Sequence, residues 1–358
     1  MSGSTNYFRE LFIQDTPLID VRSEGEFSDG HFLCSSNLPL MNNHERDLVG
    51  KAYKQQGQEK AIKLGHDLVK DKIKEERVEA WLNQLKKLPH SKLYCFRGGL
   101  RSSIAVEWIR ENGGVVEKIP SGYKALRNFL LDEGVKISQK QKFIVLAART
   151  GSGKTKLLRE NPSISSMDLE FWANHRGSSF GYLGKQDSQI TFENNLMIEL
   201  LKKEHHSFML VEHESQRIGN LKIPDFLFQS LQAGQFIELI VPIEERARWI
   251  IKEYVEEPLL SKNVDQVQET LKLSLYRLEK KLGGLATREI FQLMDDAFKK
   301  DYRDEALFNE HFEWVRRLLV HYYDPSYDYH IKNIKDKIVI SGDQKTILDY
   351  LKNKKDLL

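Results

Sequence analysis

The chain has 358 residues, 40% hydrophobic and 30% charged, enough apolar material for two packed domains and too much for a globally disordered chain. A net charge of +2 excludes polyanion binding by bulk charge, so any nucleic acid must meet a local basic surface. The longest apolar run falls far short of 18 residues, and two cysteines, Cys34 and Cys95, make no disulfide framework, so neither a membrane span nor a disulfide-stapled fold is expected.

The first twenty residues carry Arg9, Glu10, Asp15 and Asp20 and no secretory h-region, and a cytoplasmic protein without membrane contact is expected. Residues 17–22 (PLIDVR) predict a short buried strand, followed by a polar loop. Across 45–88 the pattern is helical, with Val78, Trp81, Leu82, Leu85 and Leu88 at spacings of three and four. A strand at 93–96 runs into Arg97-Gly98-Gly99, a helix at 102–110 closes on Gly113-Gly114, and 115–119 predicts another strand. Alternating strands and helices imply an α/β fold with a mainly parallel sheet. The polar stretch 132–142 suggests a domain boundary, dividing the chain into 1–135 and 136–358. The second part opens with the apolar strand Phe143–Ala148, a glycine turn, and a helix from Lys154. Further strands are predicted at 208–211, 236–241 and 338–340. Leu271, Leu275, Leu278 and Leu282 mark an amphipathic helix ending at Gly283, with more helix over 288–320.

Two turns carry chemistry. The first is Cys95-Phe96-Arg97-Gly98-Gly99-Leu100-Arg101, a cysteine at a strand end with an arginine six positions later at a helix onset. Gly98 and Gly99 allow successive N–H groups to point inward as an anion cradle, and the helix N-terminus and Arg101 add positive charge. Each favours thiolate, so Cys95 is expected to titrate below the usual value of about 8.5. Cys95, Arg101 and Arg97 are the candidate catalytic groups; Asp20 and Arg22 are assigned to a structural ion pair, and Cys34 and His31 to packing.

The second turn is Ala148-Arg149-Thr150-Gly151-Ser152-Gly153-Lys154-Thr155, between an apolar strand and a helix. This is the phosphate-loop pattern with Ala148 in place of the first glycine. Gly151, Ser152 and Gly153 offer backbone amides, Lys154 reaches the outer phosphate oxygens, and Thr155 offers a hydroxyl to a metal. Asp168 and Glu212 are the candidate carboxylate ligands, with magnesium as the ion. Glu212-His213-Glu214 stands where a nucleotide hydrolase has Asp, so diphosphate binding is better supported than ATP hydrolysis.

Asp20-Val21-Arg22-Ser23, Glu26-Phe27 and Gly30-His31, together with the cysteine loop, resemble a rhodanese domain, in which the cysteine carries sulfur as a persulfide. The loop is one residue longer than usual, a spacing that also suits tyrosine phosphatases and the rhodanese-fold cell-cycle phosphatases. Fused to this phosphate loop, the chain resembles the tRNA 2-selenouridine synthase family over nearly its whole length. Leu64-Gly65-His66, Asp168-Leu169-Glu170, His175-Arg176-Gly177-Ser178 and Tyr322-Tyr323-Asp324-Pro325 also fit, whereas His213 departs from the family's acidic residue. The resemblance implies an N-terminal rhodanese-like parallel sheet domain and a C-terminal P-loop NTPase-like α/β domain with helical additions. It implies replacement of sulfur by selenium at wobble 2-thiouridine of tRNA. Selenophosphate would be the selenium donor and geranyl diphosphate the alkyl donor, with no tightly bound cofactor.

For tRNA, Lys136, Lys140, Lys142, Lys280, Lys281, Arg316, Arg317 and 352–355 supply basic clusters, while Arg176, Tyr323 and Tyr327 are candidates to pair with or stack on anticodon bases. Neutralising about five phosphates predicts a log–log salt slope near roughly −3.5, at about −0.7 per contact. Three other readings remain open on the residues alone: a thiol phosphatase or a sulfurtransferase fused to a nucleotide-binding domain, and a non-catalytic tRNA-binding protein.

Overall fold

The structure is a computed structural model that describes residues 2–175, 185–299 and 305–356. In chain order the first part holds α1 (Ser2–Ile13), β1 (Leu18–Asp20), α2 (Glu24–Asp29), β2 (Ser35–Asn37), α3 (Asn43–Gln56), α4 (Gln58–Leu68) and α5 (Asp71–Lys87). It continues with β3 (Lys92–Tyr94), α6 (Leu100–Glu111), β4 (Glu117–Lys118) and α7 (Gly122–Lys140). The strands form a fully parallel sheet in the order β2-β1-β3-β4. Its core packs Ile19, Val21, Trp81, Leu93 and Ile109.

The polar stretch 132–142 is not a linker. Residues 132–140 continue α7, because Glu133, Gly134, Ile137 and Ser138 form a buried stripe at helical spacing. The buried Glu133 is held by Arg9 and by Lys136, the latter at 2.7 Å. The expected boundary at 135/136 therefore falls inside a helix, and the two compact units divide at Lys140/Gln141.

The second part begins with β5 (Phe143–Ala148), α8 (Lys154–Glu160), β6 (Ser166–Met167) and α9 (Leu169–Trp172). Helix α10 (Gln189–Lys203) then belongs to the first unit. Its Phe192, Leu196, Met197, Leu200 and Leu201 are buried, and Gly134 on α7 permits the approach: a Cβ there would lie 1.9 Å from Met197 Sδ. After it come β7 (Met209–Glu212), the hairpin of β8 (Arg217–Ile218) and β9 (Leu221–Lys222), α11 (Asp225–Ala233) and β10 (Gln235–Leu239). The helical part is α12 (Ile243–Ile251), α13 (Glu257–Leu259), α14 (Val264–Leu282), α15 (Gly284–Phe298), α16 (Glu305–Leu318) and α17 (Asp324–Ile331). Strand β11 (Ile338–Gly342) and α18 (Gln344–Asp356) follow.

The second sheet is also parallel, in the order β11-β10-β5-β7-β6. All six residues of β5 are buried, as a central parallel strand covered on both faces requires. Helix α14 starts on an Asn263–Gln266 capping box, buries Leu271, Leu275 and Leu278, and stops at Gly283, whose φ of +82° suits glycine. Among the described residues no helix is long and apolar enough to cross a membrane.

Candidate functional site

In the first unit, β3 ends at Tyr94 and delivers Cys95 to the carboxyl end of a parallel sheet, where such folds place their chemistry. The start of α7 clasps the loop: Tyr123 N donates to Cys95 O at 2.9 Å and Lys124 N to Phe96 O at 3.0 Å. Gly98 (φ +61°) and Gly122 (φ +58°) are needed because the two backbones almost touch, and a Cβ on Gly122 would stand 2.1 Å from Cys95 O. A Cβ on Gly99 meets nothing within 4 Å, so only that glycine borders open space.

The open cradle expected around Cys95 is not what the loop forms. Cys95 is 3% exposed and packs with Leu40, Val69 and Ile104, and its Sγ donates to Ser102 Oγ at 3.2 Å. The Arg101 guanidinium is gripped by both oxygens of Glu26, at 2.6 and 3.0 Å. Glu26 is placed for this by closing the capping box of α2 with Ser23. Burial works against its charge, yet Arg101 and then Ser23 and Arg46 hold its carboxyl below the usual carboxylate range. Arg97 is exposed.

Arg22 pairs with Asp20 at 2.6 Å in the core, donates to Gly30 O at 2.8 Å, and lies 3.8 Å over the Tyr123 ring; the pair is structural, as expected. His31 stacks on Phe27 at 4.1 Å and packs likewise. Burial pushes the Cys34 thiol up to about 11, which leaves it inert near neutrality. Glu26 and Ser102 were missed as parts of this site, although the Ser23-x-x-Glu26 spacing was a visible capping signal.

In the second unit, β5 leads into the phosphate loop and Lys154 opens α8. Gly151 and Gly153 adopt φ of +80° and +73°. A Cβ on Gly151 would meet Arg246 O at 2.9 Å, so that glycine is also required by packing. Ala148 is not among the residues of positive φ, which is why alanine is tolerated in place of glycine. A cavity of about 610 Å3 opens over this loop, with Phe171, Trp249, Ile250 and Tyr254 in its wall. Ser152 Oγ is buried with no hydrogen-bond partner among the described residues.

Lys154 Nζ donates to Glu214 Oε1 at 2.9 Å and to His213 O at 3.2 Å. Burial opposes its charge, but Glu214, Glu170 and Glu212 prevail and hold its pKa above that of ordinary lysine. Glu212 is pushed well above the carboxylate range by burial and by Glu170 and Glu214. Its Oε1 accepts from Glu170 N at 2.8 Å, while Oε2 is buried with no partner among the described residues. Carboxylate oxygens of Glu170, Glu212 and Glu214 lie within 4.8 Å of one another, and Thr155 Oγ1 reaches Glu170 Oε2 at 3.4 Å. Such hard oxygen donors, one of them orphaned, fit a divalent cation.

The metal assignment changes accordingly. Thr155 and Glu212 are in the cluster, but Asp168 is not: it caps α9 by accepting from Phe171 N at 2.8 Å and pairs with Arg159 at 2.8 Å. Glu170 and Glu214 take its place. Burial and then Lys154 lower His213 to about 4, so it remains neutral, edge-on to Phe236.

The residues assigned to tRNA fare differently. Arg176 lies outside the described residues. Tyr327 donates to Glu238 at 3.0 Å and sits under the Arg149 guanidinium, and Tyr323 packs into the helical core, so neither stands ready to stack on a base. Tyrosines three or four apart on a helix report core packing as readily as recognition. Arg316 and Arg317 are paired with Glu313, Arg317 also with Glu289, and Lys136 with Glu133.

A family profile described as "tRNA 2-selenouridine synthase AAA domain" matches residues 141–357. A tRNA 2-selenouridine synthase of Shewanella frigidimarina (strain NCIMB 400) is 40% identical over 97% of each chain. That of Aeromonas salmonicida (strain A449) is 41% identical over 97% of this chain and 95% of its own. That of Hydrogenovibrio crunogenus (strain DSM 25203 / XCL-2) is 38% identical over 98% and 99%.

Proposed function

This chain belongs to the tRNA 2-selenouridine synthase family, and from that membership we propose that it is an enzyme exchanging sulfur for selenium at wobble 2-thiouridine of cytoplasmic tRNA. Geranyl diphosphate and selenophosphate are the donors in this reading. The observation that carries it is the phosphate-loop cavity, which joins an anion-binding turn and a lysine to an apolar wall of Phe171, Trp249, Ile250 and Tyr254. That combination suits a prenyl diphosphate better than a wholly polar ligand.

The thiocarbonyl sulfur of the base attacks the allylic carbon of the donor, the C–O bond breaks, and diphosphate leaves with the electron pair. Lys154, released from Glu214 by the incoming anion, stabilises the charge that grows on the departing oxygen. Thr155, Glu170, Glu212 and Glu214 would hold a magnesium ion, which supplies further charge to offset the diphosphate. S-alkylation makes C2 electrophilic and turns sulfur into a departing thiol.

At the cysteine loop, a perselenide on Cys95 would need an added reductant to be released. Displacement balances without one. The Cys95 thiolate attacks C2, and the C2–S bond to the alkylated sulfur breaks. That sulfur leaves as the alkylthiol after taking a proton. Selenium of selenophosphate then displaces Cys95, and water takes the phosphoryl group as phosphate. Arg101 and the exposed Arg97 are assigned to the anionic donor, Arg101 exchanging its Glu26 partner for it.

Nucleoside mass spectrometry of 2-thiouridine tRNA incubated with each donor tests this. Geranyl diphosphate alone should give the S-geranyl nucleoside, and selenophosphate should then give 2-selenouridine. No mass change with both donors, or hydrolysis of an aryl phosphate in place of it, refutes the reading.

A further inference from the structure

The first unit contains a second cavity that the anion chemistry leaves unexplained. It measures about 270 Å3 and lies among α3, α4 and α6. Val49, Ile62 and Ile104 are in its wall, and its few polar neighbours are Gln58, His66 and Arg101. Leu40, Met41, Val69, Ile104 and Trp108 line it and also belong to the packed cluster that contains Cys95. Arg101 therefore borders the cavity and closes the cysteine loop at once. At the mouth, Tyr53 and Leu100 are 58% and 50% exposed. An apolar hollow with such a mouth gains free energy when hydrocarbon replaces its water.

We propose that this cavity receives the hydrocarbon chain of the S-alkylated base while its C2 meets Cys95. The inference rests on the reading of the cysteine loop as the selenation centre. At roughly 30 Å3 per non-hydrogen atom, the share that a water molecule takes in the liquid, 270 Å3 accepts about nine or ten carbons. That is the size of a two-isoprene chain. The chain must be sheltered during selenation as well as during alkylation, because it departs with sulfur only when C2–S breaks. A departing thiol already seated in an apolar hollow leaves C2 free on the side where selenium arrives.

Anticodon stem–loops carrying S-methyl, S-dimethylallyl or S-geranyl 2-thiouridine, each given selenophosphate, test the proposal. The full-length protein should prefer S-geranyl over S-methyl by about a hundredfold in kcat/KM, about 2.7 kcal/mol at roughly 1.36 per tenfold. Ile62→Trp and Ile104→Trp, which fill the cavity from α4 and α6, should reduce that preference to within about threefold. Ile62→Ala, a milder change that enlarges the cavity by about three carbons at that same share, should raise turnover of an added S-farnesyl substrate relative to S-geranyl. Equal turnover of the three substrates by the native chain overturns this inference alone. Full preference retained in both tryptophan variants, with no relative gain for S-farnesyl in Ile62→Ala, does the same. Failure to selenate any of them overturns the selenation reading along with it.

Discussion

The two anion turns of this chain solve one electrostatic problem in two ways. Each leaves an inner parallel strand, β3 or β5, and each keeps its cation on a carboxylate: Arg101 on Glu26, Lys154 on Glu214. They differ in what stands before them. The phosphate loop faces a cavity of about 610 Å3, whereas Cys95 is 3% exposed behind Ser102. A lysine loses nothing by facing water, but an accessible thiolate is open to oxidation. On the proposed reading, a soft nucleophile is kept covered until its anion arrives, while a permanent cation needs only a counter-ion to wait with.

The most direct way to break this comparison is to delete one centre at a time. Cys95→Ser should reduce selenation to background while S-geranyl nucleoside still accumulates. Lys154→Ala should lower geranylation by about 10²–10³, the range for losing one group that stabilises developing negative charge. It should leave selenation of a pre-geranylated substrate intact. Nucleoside mass spectrometry reads both, and the opposite pattern would exchange the roles of the loops.

A buried ion pair lies in each unit, and the two differ in what they brace. Asp20–Arg22 ties β1 to Gly30 in the first unit. Arg246 joins Asp324 at 2.7 Å through both nitrogens and also donates to Thr150 O in the phosphate loop. Removing either carboxylate strands a buried guanidinium, and Asp20→Ala and Asp324→Ala should each cost about 3–5 kcal/mol of stability. Calorimetry should show that loss in both. Only Asp324→Ala should also weaken diphosphate binding, because Asp324–Arg246 is the pair that touches the phosphate loop; equal effects on binding would deny the distinction.

Both turns were legible because their glycines, cations and strand-to-helix context lie within a few adjacent residues. The orientation of Arg101 was not, since it depends on Glu26, 75 residues earlier in the chain. Asp168 offers a carboxylate that suits a metal or a helix end equally, and only the position of Arg159 and Phe171 N makes it a cap. Glu170 and Glu214 joined the cluster through the packing of α9 against β7, which spacing does not reveal. Helix α7 was hidden by its own polarity: Glu133 is buried only because Arg9 and Lys136 meet it there. Strands β1, β3, β4, β5, β7, β10 and β11 were legible to within a residue or two, as short apolar runs bounded by turn residues usually are, whereas the edge strands β2 and β6, three and two residues long and without an apolar run, were not.

Acid should separate the units next. Burial lowers His213 and His311, both in the second unit, to about 4 from 6.5. The unfolded chain therefore binds protons between those values that the fold refuses, so stability is complete above about pH 6.5 and declines as pH falls towards 4. At pH 5 the loss should be about 2 kcal/mol for each histidine, at roughly 1.36 per pH unit. Melting curves from pH 7 to 5 should fall, and His213→Gln with His311→Gln should flatten them. Curves that fall equally in the double variant would place the acid-sensitive groups elsewhere.

The smallest effect sharpens the comparison most, because it touches the covering of Cys95 without touching the sulfur. If Glu26 holds Arg101 until the anionic donor displaces it, the carboxylate competes with that donor for one guanidinium. Glu26→Gln keeps the side-chain shape and removes the competing charge, so the KM for selenophosphate should fall by about three- to tenfold while kcat changes little. That range is about 0.6–1.4 kcal/mol at roughly 1.36 per tenfold, modest because the desolvation of a mostly buried pair offsets much of its attraction. Geranylation, which uses Lys154 and its own carboxylates, should not respond. A KM that rises instead would mean that Glu26 positions Arg101 for the donor, and the two loops would then differ in kind: a waiting counter-ion beside Lys154, a working brace beside Cys95.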